Sequence, residues 1–209
     1  MIKHGMPYRI LGGVKFYQRR EIKDILAYLR LAVNPNDTVS WDRIYNVPGR
    51  GIGQTTWQRV KEATRTNTLE TFKNISTESG IGQKQVAALK SLAHLVEELS
   101  QKSSEFSPTQ LIKHVLQKTD YESYINDKTG DGEERWENVK EILTATRKYD
   151  ENNGQPHEAL EKFLEEVALI QETDKINKND NAVTLMTIHS AKGLEFPVVF
   201  IIGMEDGIF

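Results

Sequence analysis

The sequence predicts a mainly α-helical protein, in which a helical subdomain is inserted into an α/β domain and short β-strands lie at both chain ends. Apolar residues recur at helical spacing through most of the chain, whereas uninterrupted apolar, β-branched runs stand near its C-terminus. A strand candidate at each end, with helices between them, is the pattern expected when one domain interrupts another. We therefore expect the two ends to belong to a larger sheet of a longer protein.

The elements follow in order from these patterns. YRIL, residues 8–11, is a short strand candidate before a Gly12-Gly13 turn. The next helix is predicted over residues 22–33 and ends at the sequence Asn-Pro-Asn, residues 34–36. Further helices are predicted at residues 39–46, 55–66, 69–75, 83–102, 108–118, 133–149 and 157–171.

The C-terminal part changes character. ETDKINKNDNA, residues 172–182, has one large apolar residue and is expected to be a linker. VTLMTI and PVVFII follow as continuous apolar runs, typical of strands buried on both faces of a parallel sheet. The predicted organisation is thus a sheet domain at residues 1–21 and 183–209, a helical subdomain at 22–172 and a linker at 173–182.

Composition narrows the class of protein. With 38% hydrophobic and 27% charged residues, the chain has the composition of a soluble globular protein. No apolar stretch reaches the roughly 20 residues of a membrane span, and the N-terminus lacks a signal peptide's apolar core. We expect a cytoplasmic protein without a membrane partner.

Charge is unevenly distributed along the chain. Residues 1–66 contain 12 Lys and Arg against 5 Asp and Glu, whereas the rest of the chain contains 15 and 25. The N-terminal third is therefore the candidate surface for a polyanion, although solvated helix faces would explain the same counts.

NVPGRGIGQTTWQRV, residues 46–60, combines a glycine-rich turn with the start of a helix. Free backbone amides at Gly51, Ile52 and Gly53, with the positive end of the helix dipole behind them, predict a phosphate-sized site. Gly53 is expected to take a positive φ, and Ile52, Trp57 and Val60 are expected in the core. The alternative is a simple connection between helices that needs glycine for its conformation.

A second copy of this pattern starts 29 residues later. Gly80-Ile81-Gly82 precedes another predicted helix, and Val86 and Leu89 again follow the second glycine by four and seven residues. Two such turns could hold consecutive backbone phosphates, or the second could be only a structural echo of the first. The basic residues near the turns are Arg50, Arg59, Lys61, Lys84 and Lys90.

The loop HSAKGLEF, residues 189–196, offers an imidazole, a hydroxyl, an ammonium and a carboxylate. Loops at the carboxyl ends of parallel strands are where open α/β sheets bind ligands. A nucleotide or a phosphodiester is therefore a candidate ligand. No G-x-x-x-x-G-K-[ST] sequence occurs, so triphosphate binding by a P-loop is not expected from this chain, and no metal site is predicted.

Three segments resemble superfamily-one, 3′-to-5′ DNA helicases of the UvrD, PcrA and Rep type. Their motif V is resembled by HSAKGLEFPVVFIIGMEDGIF, residues 189–209. The segment that leaves their second motor domain is resembled by PYRILGGVKFYQRREIKDILAYLR, residues 7–30. Their duplex-contacting GIG loop is resembled by NVPGRGIG, residues 46–53. The likeness runs in the same order over most of the chain. It implies that the helical block is the mobile 2B subdomain, inserted in motor domain 2A.

The resemblance also implies roles for residues. Glu195, with Gly193 beside it, would bind ATP, while His189, Thr187 and Lys15 would contact the single strand. Duplex DNA would be contacted by Arg50, Gly51, Ile52, Gly53, Gln54 and Thr55. ATP and Mg²⁺ are expected as cofactors of the whole helicase and not of this segment alone, which we expect to be inactive.

The implied partner is a junction of duplex and single-stranded DNA, with repair or transcription proteins as further candidates. Two alternatives remain open from the sequence. The chain is either part of an ATP-driven helicase whose 2B-like subdomain binds duplex and regulates unwinding, or a module that recruits a protein partner.

Overall fold

The computed structural model describes residues 8–11, 16–64, 68–77, 80–126, 130–150, 155–176, 183–186, 191, 193 and 195–202. The chain divides into two compact units. Unit 1 comprises Met1–Lys15 and Thr173–Phe209, and unit 2 comprises Phe16–Glu172. The predicted mainly α fold with short strands at both chain ends is confirmed.

Unit 1 contains a pair of parallel strands. β1 (Tyr8–Leu11) lies beside β2 (Val183–Met186), and the register aligns Tyr8 with Val183 and Leu11 with Met186. Parallel neighbours require a crossover connection, because a tight hairpin reverses the chain direction. The whole of unit 2 occupies that connection in the sequence.

The second C-terminal run is not a strand, so that part of the prediction is wrong. The structure describes residues 197–202 without strand pairing, and Val198, Phe200 and Ile202 are 69%, 86% and 82% exposed. The β-propensity of such residues largely reflects packing on a sheet. Within the described residues no strand pairs with this run. β2 is likewise exposed or half-buried along its length instead of buried on both faces.

Unit 2 is built from helices around one hydrophobic core. A single turn of 3-10 helix, Phe16–Gln18, precedes them. The helices described are α1 (Arg20–Val33), α2 (Thr38–Ile44), α3 (Gln54–Ala63), α4 (Thr68–Lys73), α5 (Gln83–Lys102), α6 (Pro108–Thr119), α7 (Tyr121–Ile125), α8 (Gly132–Asp150) and α9 (Pro156–Ile176). None of the helices in the described part of the chain is long and apolar enough to span a bilayer.

Helix α1 is the centre of unit 2. Ten of its 14 residues are buried, and it packs against α2, α5, α6 and α8. The buried residues include two carboxylates, Glu21 and Asp24. Buried carboxylates need polar partners in the core. Asn138 donates to Glu21 at 2.6 Å, and the Tyr121 hydroxyl donates to Asp24 at 2.7 Å.

Side chains at the helix ends explain several boundaries. Asp37 accepts the amides of Val39 and Ser40 and so starts α2. Ser107 and Gln110 form a capping box at α6, and proline follows Ser107 at the first helical position. These bonds satisfy amides that have no partner within the helix.

The chain enters and leaves unit 2 at neighbouring positions. The Gln171 side-chain amide donates to the Tyr17 carbonyl at 3.2 Å. Helix α9 continues to Ile176, beyond its predicted end at residue 171 and into the segment expected to be a linker. Residues 177–182 of that segment lie outside the described residues.

Candidate nucleic-acid interface

The first glycine turn, residues 45–53, connects α2 to α3 and is organised by Asn46. Its side-chain oxygen accepts the backbone amide of Arg50 at 2.6 Å and that of Ile52 at 3.2 Å. Gly51, between these two residues, has a φ of +69°, which favours glycine. The expectation that the Ile52 amide is free for a ligand is therefore wrong, because that amide is used inside the turn.

Arg50 points into the turn instead of out toward a ligand. Its Nη1 donates to the carbonyls of Ile44 and Val47, both at 2.9 Å, and to that of Pro48 at 3.1 Å. Its Nη2 donates to the Tyr28 hydroxyl at 2.7 Å. The guanidinium thus closes the loop onto α1, so the predicted phosphate contact through this side chain is not supported by the geometry.

The core-facing residues of the turn and α3 lie where the sequence predicts. Ile52, Trp57 and Val60 are 0%, 3% and 0% exposed. The Trp57 ring stacks on Tyr45, with 4.5 Å between ring centroids and 4° between planes. This packing fixes the first turns of α3 against the loop that precedes them.

The N-terminus of α3 is open. Gly53 is its N-cap residue, with φ −73° and ψ 162°, and no side chain caps the helix. The expected positive φ at Gly53 is therefore wrong, since only Gly51 has one in this turn. Gly53, Gln54 and Thr55 are all exposed. Uncapped amides at a helix start, together with the helix dipole, form a favourable environment for an anion.

The second turn repeats the geometry of the first. Gly80 has a φ of +70°, and Gly82, the N-cap of α5, has φ −64° and ψ 149° without a side-chain cap. Ile81, Val86 and Leu89 are buried like their counterparts in the first turn. The two GIG segments are therefore two copies of one structural element.

The two turns contact each other through side chains of the following helices. Gln85, on the first turn of α5, donates to the carbonyl of Gly51 at 3.3 Å. Arg59, on α3, donates to the carbonyl of Gly80 at 3.3 Å. Each helix thus bonds to the positive-φ glycine of the other turn, and the two uncapped helix starts are held close together.

The basic side chains on α3 and α5, the helices that follow the two turns, have different surroundings. Lys61 is exposed and forms an ion pair with Asp42 at 2.8 Å. Arg59 and Lys84 are exposed and Lys90 is half-buried. Asp42 also accepts the indole N–H of Trp57 at 2.7 Å, so this carboxylate holds one of the local cations next to the stacked aromatic pair.

The residues expected to bind ATP and single-stranded DNA lie in unit 1. Gly193 is exposed with a φ of +83°, and Glu195 is exposed. Lys15, Thr187 and His189 lie outside the described residues. Nowhere in the described ranges do three or more potential metal ligands cluster.

Comparison with known proteins identifies the family. The UvrD-like helicase C-terminal domain matches residues 1–209. The chain belongs to this family. It is 39% identical over 218 residues to the ATP-dependent DNA helicase PcrA of Bacillus subtilis (strain 168) and 38% identical over 217 residues to that of Leuconostoc citreum. It is also 36% identical over 211 residues to PcrA of Staphylococcus aureus (strain Mu50 / ATCC 700699).

Each of these matches covers 100% of this chain and 29% of the relative. The chain therefore spans less than a third of the length of the curated relatives it matches. Its likeness to the UvrD and PcrA helicases, expected from the sequence, is confirmed at the level of the family.

Sequence analysis missed the residues that organise this UvrD-family surface. Asn46 acts through backbone amides within its own turn, whereas Gln85 and Asp42 contact groups 15 or more residues away in the sequence. An Asn four residues before Arg50 and a Gln three residues after Gly82 are visible in the sequence, but neither type alone indicates its partner. The repeated GIG spacing was the one available clue that the two turns belong together.

Proposed function

We propose that this chain is part of an ATP-dependent 3′-to-5′ DNA helicase and that unit 2 binds the backbone of duplex DNA through the two glycine turns. Unit 2 would then be the 2B subdomain and unit 1 would be parts of motor domain 2A. Binding of duplex ahead of the junction by unit 2 would regulate unwinding by the motor. Family membership and the relatives' names support the helicase assignment.

Gly53 carries the proposal for duplex binding. Its φ of −73° is open to any residue, and a Cβ built on it meets nothing within 4 Å. Neither conformation nor packing inside the chain therefore requires glycine there. Binding of a phosphate oxygen to the first amides of α3 would require glycine at position 53, because a side chain at the N-cap would block the approach of the phosphate.

The second turn has the same backbone geometry, and Gly82 also precedes a helix start that no side chain caps by a hydrogen bond. Unlike at Gly53, the Gln85 side-chain oxygen would lie 2.4 Å from an added Cβ there, so a phosphate at this start would displace that side chain. The two helix starts, joined by the bonds of Gln85 and Arg59, present two anion sites on one surface. Backbone amides contact phosphates irrespective of the base sequence. We expect about two to four phosphates to be neutralised and micromolar or weaker affinity, typical of non-specific binding.

For unit 1, we propose that Glu195 and Gly193 belong to the ATP site of the whole helicase. His189, Thr187 and Lys15 would contact the translocating single strand. ATP with Mg²⁺ would be the cofactors of the complete enzyme, and its partner would be a duplex with a single-stranded junction. These assignments rest on the likeness of residues 189–209 to motif V of the family, with the preceding Thr187, and on the likeness of the N-terminal segment that contains Lys15 to the segment leaving the second motor domain.

The test compares Gly53→Thr with Gly49→Thr in a duplex-binding titration. Threonine is about as good an N-cap as glycine, so α3 should remain intact. Its side chain would occupy the position proposed for phosphate and compete for the same amides. A hydrogen bond to a charged group contributes about 1.5–3 kcal/mol, so affinity should fall about tenfold or more.

Gly49→Thr is the matched control, because Gly49 is exposed in the same loop and a Cβ there also meets nothing within 4 Å. Fluorescence anisotropy on a short duplex across a salt series provides the affinity and the salt slope, and circular dichroism checks folding. Equal affinities for wild type, Gly53→Thr and Gly49→Thr would show that the turn only connects helices. Recruitment of a protein partner would then be the better account of unit 2.

A further inference from the structure

Two exposed cations, Arg59 and Lys84, lie at the second glycine turn without a carboxylate partner. Arg59 is on α3, and its Nη1 donates to the Gly80 carbonyl at 3.3 Å. Lys84 is in the first turn of α5, two residues after the N-cap Gly82. Among the described residues, neither side chain has an acidic group within ion-pair distance. Both charges are therefore available to a ligand at this turn.

Other basic residues near the turns already have partners. The Arg50 guanidinium donates to three backbone carbonyls and a hydroxyl. Lys61 forms an ion pair with Asp42 at 2.8 Å. Each of these cations would have to give up such contacts before it could bind a phosphate. Arg59, in contrast, would lose at most one hydrogen bond of 3.3 Å.

The two charges are carried by side chains, so they do not depend on the amides at the start of α5. The Gln85 side-chain oxygen lies over that start, since a Cβ added to Gly82 would be 2.4 Å from it. Long cationic side chains reach beyond the backbone and can bind a phosphate without displacement of Gln85. Two like charges at one turn also raise the local positive potential, which attracts an anion.

The chemistry of Arg59 suits a phosphate in particular. A guanidinium has five N–H donors in a planar fork that matches two phosphate oxygens. The bond to the Gly80 carbonyl holds the side chain of Arg59 toward the second turn, so less rotamer freedom is lost on binding. The Lys84 ammonium would add a second charge to the same contact.

We propose that Arg59 and Lys84 bind a backbone phosphate of duplex DNA at the second glycine turn. This inference rests on the proposed duplex binding by unit 2. It names two side chains, one from each of the helices that follow the glycine turns, as the phosphate contact. Removal of either charge should weaken duplex binding and reduce the number of counterions released from the DNA.

Arg59→Gln and Lys84→Gln test this contact separately. Each variant loses one positive charge at an exposed helix position and keeps a good helix former. We expect the affinity for a short duplex to fall about fivefold and the salt slope to become shallower by up to about 0.9 in each variant. Arg59→Lys keeps the charge without the planar fork, so it should retain the slope and lose less affinity than Arg59→Gln.

Lys113→Gln is the matched control, because it makes the same change in charge at an exposed residue of α6. The neighbouring His114 bonds to Glu98, which follows Lys84 by 14 residues on α5. At 1.5 Å per residue this is about 21 Å along the helix, beyond the Debye length of about 8 Å at physiological salt. Lys113→Gln should therefore leave affinity and slope near the wild-type values, and circular dichroism verifies the folding of every variant.

Equal affinities and equal slopes for Arg59→Gln, Lys84→Gln and Lys113→Gln would overturn the proposal, because net charge alone would then explain them. Gly53→Thr separates this result from the proposed function. If Gly53→Thr weakens binding and neither glutamine variant differs from the control, only this inference fails. If Gly53→Thr has no effect and both glutamine variants weaken binding, the side-chain contact is supported and the amide contact proposed at the first turn is wrong.

Discussion

Asp42, on α2, holds two donors of α3. One oxygen accepts the Trp57 indole N–H at 2.7 Å, and the other accepts the Lys61 ammonium at 2.8 Å. Both partners of the ion pair are substantially exposed, so the pair contributes little to stability. Its main consequence is that a cation in the last turn of α3, the helix whose start is the proposed phosphate site, is already paired with a carboxylate.

We predict that Asp42→Asn strengthens duplex binding. The amide oxygen can still accept from Trp57, while Lys61 loses its carboxylate and can neutralise a phosphate. The salt slope should become steeper by up to about 0.9, the value for one additional phosphate. Anisotropy titrations at several salt concentrations measure both quantities.

Asp131→Asn is the control for this prediction, since it makes the same change in net charge at an exposed position just before α8. A purely global charge effect would increase affinity equally in both variants. That outcome, or an unchanged slope in Asp42→Asn, would contradict a local role for Asp42.

The orientation of Arg50 shows what could not be predicted at the scale of residues. A basic residue between two glycines indicates a phosphate ligand, and the sequence offers nothing against that interpretation. The structure instead provides three backbone carbonyls and the hydroxyl of Tyr28, which is 22 residues away. A side chain satisfied by its own loop cannot be distinguished in the sequence from one that faces solvent.

At the scale of elements, the buried network of α1 connects it to α2 and α7. Asp24 is 1% exposed, accepts from Tyr121 and forms an ion pair with Arg43 at 2.8 Å. Burial raises the pKa of the Asp24 carboxyl above its ordinary value of 3.8, although the Tyr121 hydrogen bond and the Arg43 charge oppose this. The charged form is therefore less favourable in the folded protein than in the unfolded chain.

This shift predicts a pH dependence of stability. Because the folded state holds the Asp24 proton more tightly, the contribution of this group is most favourable below pH 3.8 and falls as pH rises through the raised pKa. Asp24→Asn removes the titration, so its stability relative to the wild type should increase as pH rises from about 4 toward neutrality. Urea unfolding at a series of pH values measures the difference, and a constant or decreasing difference would show that the pKa is not raised.

Helix positions were largely predictable from the sequence, because they depend on local periodicity and end residues. Predicted helix 83–102 coincides with α5, and predicted helix 108–118 differs from α6 by one residue. The five-residue α7 was missed because its start depends on Asp120 adopting a left-handed conformation with φ 47°. The strand predicted at residues 197–202 was wrong, because strand formation depends on a partner that local sequence does not reveal.

At the scale of the whole molecule, the interruption of a parallel strand pair by a helical unit was predictable. Strand-like segments at both ends of the sequence, with predicted helices between them, indicated this insertion. In the structure β1, which precedes unit 2 in the sequence, pairs with β2, which follows it. The contact between the two glycine turns was not predictable, since it depends on side chains that reach across the fold.

The two-unit organisation predicts the pattern of limited proteolysis. Residues 177–182, which follow α9, are polar in sequence, so cleavage should occur there first, with trimming of the N-terminus toward Phe16, where unit 2 begins. Helix α5 should be protected, because Leu89, Val96 and Leu99 are fully buried in the core of unit 2. Mass spectrometry of the products identifies the sites, and equally rapid cleavage within α5 would be inconsistent with unit 2 as one stable body.

The measurement that most directly tests duplex binding by the paired turns is a titration of the ¹⁵N-labelled chain with a short DNA duplex, followed by backbone amide shifts. Our account predicts that the largest shifts occur at residues 53–56 and 82–85, at the starts of α3 and α5. The shifts should be independent of base sequence and should diminish as salt is added. Shifts concentrated on α8 and α9, or the absence of shifts at both helix starts at concentrations where anisotropy detects binding, would contradict it.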